Sequence, residues 1–345
     1  MSVLYVLMLA NLALWHGTVK TTFRQRDLNR LGSMATTAPL TEDVHYAEHH
    51  AELRDYIASG THESFDILTI GASFTNGRDG GSYPDYLVNY YGLRVLNAHI
   101  RGYECITTLY MLAESGLLDE ISPRVVILES VERSVQDRFG VNILAPVKSD
   151  RQTIEKLSGS PEAGAGLSDG LMPPIMTLSN MKHVFHKLYH FMKPEQLSPE
   201  VCITQLDRPF FTNPGQERTL LYYYDDLLYL TRPLNAEIVN QNLNNAARLL
   251  KAKGIKLIFF AAADKYDLYY PYITDKRGRP ENPFFMKMRE VPGKEYVFAD
   301  AMKPLREALG RGEQDVYWLN DTHWSHKGIK IFCDELVRYI LPESR

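Results

Sequence analysis

The chain has 345 residues, of which 45% are apolar and 23% charged, and a formal net charge of -4. That apolar content can fill a substantial core and excludes a disordered or fibrous chain. The mildly negative balance offers no broad basic field for a phosphate backbone, which argues against a nucleic-acid partner.

Val3 to Leu14 (VLYVLMLANLAL) is apolar apart from Asn11 and is followed by Trp15. At about 12 residues it is shorter than the roughly 17–25 of a spanning helix. No basic residues precede it, as they would in a signal peptide, and Lys20, Arg24, Arg26 and Arg30 follow it instead. It fits a shortened signal anchor whose true start lies upstream, an interfacial helix or a buried core helix, and the first is the expectation. Residues 1–30 then form an N-terminal apolar segment, and 31–345 the domain.

From about Glu42 to Ser59, Val44, Leu53, Tyr56 and Ile57 among many charges suggest a surface helix. Phe65 to Ile70 is a short β-branched run ended by Gly71. Tyr83 to Tyr91 reads as a helix, Arg94 to Ala98 as a second strand, Cys105 to Leu118 as a helix and Arg124 to Glu129 as a third strand. Gly140 to Arg232 breaks this alternation with Gly, Ser and Pro punctuation around a helix at Ser179 to Met192. The βα pattern resumes with a helix at Asn235 to Lys253, a fourth strand at Lys256 to Ala262 (KLIFFAA), a fifth at Val316 to Leu319 (VYWL) and a closing helix at Ile329 to Ile340. Nearly all-apolar strands alternating with helices require a parallel sheet covered on both faces. The expected architecture is α/β: a five-stranded parallel sheet in a three-layer sandwich, with a cap inserted at about 141–234. Cys105, Cys202 and Cys333 are widely spaced, form no CxxC motif and read as mostly buried thiols.

Ligand sites of open α/β sheets gather beyond the carboxyl ends of the strands. Ser73, in Gly71-Ala72-Ser73-Phe74, lies there, where its hydroxyl can project into the crevice beside helix-start N–H groups. Alone it would pass as a helix cap. Asp321 and His323, in Asp321-Thr322-His323-Trp324, follow the last expected strand and belong at the same edge. An imidazole can take the serine proton while an acid two residues away holds its other nitrogen.

These blocks resemble the first and last blocks of the SGNH (GDSL-type) hydrolase superfamily. The Asp321–Trp324 form, with Ala263-Asp264-Lys265-Tyr266 after the fourth strand, looks like its alginate O-acetyltransferase branch, the AlgX/AlgJ-like proteins. The resemblance covers about 65–340, leaving the insert poorly matched. It implies a flavodoxin-like sandwich that acts outside the cytoplasm, anchored by its N-terminus, and moves acetyl groups onto hydroxyls of an exopolysaccharide or envelope glycan. It implies Ser73 as nucleophile, His323 as base, Asp321 as orienting acid, and the N–H groups of Ser73 and Gly102 as oxyanion donors. Arg133 and Trp324 are candidate substrate contacts, and Lys265, which follows the fourth strand, could face the same crevice and contact an anionic sugar, with an exposed lysine as the default. No metal or other cofactor is expected, and the resemblance implies a membrane-bound O-acyltransferase partner that supplies the acetyl group. Two departures stand out: Ala72 replaces the usual aspartate, and Glu129-Ser130-Val131-Glu132-Arg133 stands where an oxyanion asparagine is expected. Arg133 could equally pair with Glu129 or Glu132. An esterase with the same site, and a glycan-binding scaffold with a degraded one, are the rival expectations.

Two histidine groups are declined as metal sites: His183, His186 and His190 share a helix face with no Cys, Asp or Glu nearby, and His45, His49 and His50 have i,i+4 spacing but lack a third local ligand. The aromatic runs Tyr222–Tyr224 and Tyr266–Tyr272 read mainly as core, with sugar stacking as the alternative.

Overall fold

The computed structural model describes residues 26–32, 36–42, 44–60, 63–76, 82–100, 105–141, 149–158 and 178–341, with scattered positions between 5 and 13. Of the apolar segment from Val3 to Leu14, positions 5, 6, 8–10 and 13 are described and the other six lie outside the described residues. No helix among the described residues is long and apolar enough to cross a membrane.

A six-stranded sheet forms the centre. Its strands are β1 (Ala51–Glu52), β2 (Ile67–Ile70), β3 (Val95–Asn97), β4 (Val125–Val131), β7 (Lys256–Ala262) and β8 (Val297–Phe298), ordered β1-β3-β2-β4-β7-β8. Every neighbouring pair is parallel, and helices cover both faces. Leaving out the edge strand β1 and counting from β2, the remaining five strands run 2-1-3-4-5, a common doubly wound order whose direction of winding reverses between β2 and β4. Double coverage explains the strand sequences: all of β4 and all of β7 after Lys256 are buried.

The flanking helices follow from local rules. Asn235 caps the helix Ala236–Lys251 by accepting the Ile238 N–H at 3.1 Å, and Val239, Leu243, Ala246 and Leu250 form its buried stripe. Ser325 caps the closing helix His326–Ile340, which buries Ile329, Phe332, Cys333, Leu336 and Ile340. All three cysteines are buried.

The fold corrects the sequence expectations in three places. Val316–Leu319 is buried but is not a strand: Tyr317 bridges only Trp324, and the Val316 carbonyl accepts the Ser325 N–H at 3.0 Å. The segment folds back to start the closing helix, and the sheet's edge is β8 instead. The helix expected from 42 to 59 exists only as Leu53–Ser59. Upstream, Asp85 Oδ1 takes the N–H of His50 at 2.9 Å and its Nδ1 at 2.7 Å, which ties that backbone to a neighbouring helix and leaves Ala51–Glu52 to extend the sheet. Finally, the helix Asp27–Gly32 straddles the boundary drawn at residue 30. Leu28 and Asn29 are fully buried against the domain, so the domain includes this helix.

The insertion carries the helices Arg151–Ser158 and Leu178–Met192 and an antiparallel hairpin of β5 (Val201–Gln205) and β6 (Thr219–Tyr223). It joins the main domain through Asp226, in the 3-10 turn after β6, and through aromatic packing of Tyr222 on Tyr266 at 4.8 Å.

Candidate active site at the reversal of winding

β2 ends at Ile70 and delivers the chain into a tight turn in which the Ala72 carbonyl accepts the N–H groups of Thr75 (3.1 Å) and Asn76 (3.0 Å). Ser73 is exposed at its tip, whereas Phe74 and Thr75 are buried beneath it. The N–H groups of Ser73 and Phe74 and the Ser73 hydroxyl have no hydrogen-bond partner among the described residues. Such a pair of N–H groups suits a developing oxyanion.

The turn is held from behind by Glu129 of β4, which is fully buried. Glu129 Oε2 accepts the Ala72 N–H at 2.5 Å and the Thr75 hydroxyl at 2.9 Å. A Cβ at position 71 would overlap both Thr75 Oγ1 and Glu129 Oε2, so only glycine lets the turn close on the carboxylate. Burial pushes the Glu129 carboxyl up, against the opposing pull of these two hydrogen bonds. The departure noted in the sequence at Glu129 is thus a contact to the turn that begins at Ala72.

The loop after Val316 brings Asp321 and His323 to the same edge. Asp321 Oδ1 lies 2.8 Å from His323 Nδ1 and also accepts the His323 N–H at 3.2 Å. The shorter contact is a hydrogen-bond length and assigns the Nδ1 proton to Asp321, leaving Nε2 without a hydrogen bond among the described residues. Burial alone would lower the imidazole pKa, but the hydrogen bond and charge of Asp321, with the charge of Asp27, outweigh it and the group is raised above 6.5. Burial would raise Asp321 in turn, but its bond to His323 and the charges of His323 and Arg26 hold it below its usual value.

The two loops meet through rings. Phe74, next to Ser73, has its ring 4.9 Å from that of His323 and 4.8 Å from that of Trp324. Among the described contacts, no hydrogen bond joins Ser73 to His323. Gly102, the other expected oxyanion donor, lies outside the described residues.

The remaining expected ligand contacts are placed differently. Lys265 is 2% exposed, and its Nζ donates to the carbonyls of Trp318 (2.6 Å), Leu319 (2.7 Å) and Asp321 (3.2 Å). It supports the histidine loop from inside and does not reach a ligand. Burial lowers its pKa to about 7, against the charges of Asp321 and Asp226. Trp324 is 2% exposed and packs on Phe74, Phe260 and Phe332, so it is core. Arg133 turns neither to a ligand nor to Glu129 or Glu132: it pairs with Asp264 at 2.5 Å and Asp226 at 3.3 Å, locking the insertion to the end of β7.

Sequence reasoning missed a buried carboxylate group beneath this pair. Glu132, Asp264 and Asp267 each place one oxygen within 4.8 Å of the others, and Asn282 Nδ2 donates to Glu132 (2.8 Å) and Asp267 (3.2 Å). Burial, then mutual repulsion, raises Glu132 and Asp267 well above the carboxylate range and Asp226 to about 8. No single periodicity signals such a cluster, because its carboxylates come from three separate segments, at 132, 226 and 264–267. Among the histidines, His49 and His50 are occupied with Asp85, and His190 Nδ1 sits 2.9 Å from the Gln196 carbonyl.

Compared with models of known families and with curated proteins, the chain matches none.

Proposed function

We propose that the protein is an SGNH-type serine O-acetyltransferase of an exopolysaccharide or envelope glycan. The observation that carries the reading is the 2.8 Å Asp321–His323 contact, set beside the Ser73 turn at the carboxyl edge of a parallel sheet. The strand order supports the finer assignment to a flavodoxin-like sandwich.

In this reading the Ser73 hydroxyl attacks the acetyl carbonyl of a donor ester while His323 Nε2 takes its proton. Asp321 stabilises the imidazolium, and the N–H groups of the turn receive the oxyanion. Collapse expels the donor's alcohol, which takes the proton back from His323, and leaves an acetyl ester on Ser73. A sugar hydroxyl deprotonated by His323 then attacks this ester, and Ser73 regains the proton as the acetylated sugar leaves. The reading places the protein outside the cytoplasm, anchored at its N-terminus, beside a membrane-bound O-acyltransferase that supplies acetyl groups.

The exposure of Ser73 favours a second reading, an esterase in which water replaces the sugar hydroxyl. Incubation with p-nitrophenyl acetate and oligosaccharides, followed by mass spectrometry, separates the two. Acetylated sugar and an acetyl adduct on Ser73 are expected. Free acetate alone would leave the esterase, and an unchanged product in Ser73→Ala would remove both in favour of a glycan-binding scaffold.

A further inference from the structure

We propose that Asp27 is a second carboxylate acting on His323, so that the N-terminal helix Asp27–Gly32 is part of the active site. The inference rests on the base role of His323 proposed above, and its test is chosen to separate the two.

The helix is docked on the histidine loop by several independent contacts. The Leu28 N–H donates to the Asn320 carbonyl at 3.0 Å, and Leu28 itself is fully buried. Thr36, just beyond the helix, receives hydrogen bonds from Asn29 (3.1 Å) and from Asn320 (3.0 Å), closing a ring between the arm and the loop. Arg26 lies 3.9 Å over the Trp318 ring and 3.7 Å from Asp321 Oδ2. Within this dock Asp27 Oδ2 accepts the Thr322 hydroxyl at 3.1 Å and stands 3.6 Å from His323 Nδ1.

The division of labour follows from one proton. Nδ1 carries a single hydrogen, which points to Asp321 at 2.8 Å, so Asp27 at 3.6 Å acts on the ring through charge. That charge matters because Arg26 offsets part of the Asp321 carboxylate. Among the described residues, the imidazole is also faced by the Thr322 hydroxyl, 3.4 Å from Nδ1, by the Phe74 ring and, at longer range, by Arg133, which opposes protonation, and Glu129, which favours it. Lys265 lies beneath the loop, bound to its carbonyls. Asp27 is therefore a positioning residue that stabilises the imidazolium formed when Ser73 loses its proton.

The test is the pH titration of the His323 imidazole, followed by NMR in the intact chain and compared with the pH profile of kcat/KM. Asp27→Asn is expected to lower the His323 pKa by about one unit and kcat by about tenfold, with KM for the acetyl donor unchanged. Asp27→Glu, which keeps the charge, should restore most of both. Asp27→Ser is a second neutral variant that retains a good helix-start residue, so the test survives if the first fails to fold. A His323 that titrates at the wild-type pH in both neutral variants overturns the inference. Because the titration needs no turnover, it decides the role of Asp27 even if wild-type protein never acetylates Ser73, an outcome that would count against the proposed function alone.

Discussion

The two loops that meet at the candidate site are held in opposite ways. The histidine loop is fixed from three sides: by Lys265 Nζ on three of its carbonyls, by the Asp27–Gly32 helix on its outer flank, and by Trp324 in the core. The serine turn is held by the buried carboxylate of Glu129, by the buried ring of Phe74 and by the hydrogen bond from Asn97 to Asn76, and it leaves Ser73 exposed at its tip. In the proposed reaction the base must keep one tautomer and one direction through both half-reactions, and a buried lysine among carbonyls holds its loop there. The proposed nucleophile must accept an acyl group and release it, and a serine exposed at the tip of a short turn can adjust to both.

This contrast is open to direct challenge. Asp321→Asn keeps the shape of the histidine loop but removes the charge that fixes the Nδ1 proton, and kcat is expected to fall about 10³–10⁴-fold. A loss under tenfold would show that the loop's order is not used in catalysis. Lys265→Met strips the donor from three buried carbonyls and should cost about 3 kcal/mol of unfolding free energy by denaturant titration. An unchanged midpoint would mean that the loop is held by the Asp27–Gly32 helix and Trp324 alone.

Gly71→Ala tests the serine turn, since its methyl cannot fit against Thr75 and Glu129. A cost of about 2 kcal/mol is expected, with loss of Ser73 labelling by a fluorophosphonate. Labelling at the wild-type rate would show that the turn does not depend on the carboxylate. The smallest effect belongs to Glu129→Gln. Because burial raises the folded-state pKa of Glu129, its contribution to stability is present below the unfolded value of 4.5 and is lost as pH rises through the raised folded value. The variant lacks this loss, so above pH 4.5 its melting temperature should fall less steeply than that of wild type, by about 2 °C over the transition. Parallel melting curves across pH would refute a buried, titrating Glu129.

The helix at 83–91 and the strand at 256–262 were legible to the residue, because each is a strongly patterned run bounded by clear breakers. The Asp321–His323 pair was legible too, since both residues lie in one short loop. The roles of Lys265, Trp324 and Arg133 were not. A residue just past a strand can point toward solvent or turn inward, and the choice depends on partners far away in the chain: the carbonyls of 318–321 for Lys265, the core rings for Trp324, and Asp226 of the insertion for Arg133. Likewise Val316–Leu319 has strand composition, but the need to start the closing helix at Ser325 takes its carbonyl away from the sheet.

The order of apolar strands and helices by itself determined a parallel, doubly covered sheet and the edge at which Ser73, Asp321 and His323 fall, because burial on two faces leaves few other ways to use such segments. Only the tertiary structure decided that Asp27 reaches the imidazole, that Glu129 holds the serine turn, and that Lys265 is buried. Each is a contact between charged or polar groups distant in sequence, and long-range pairing of this kind leaves no local period to read.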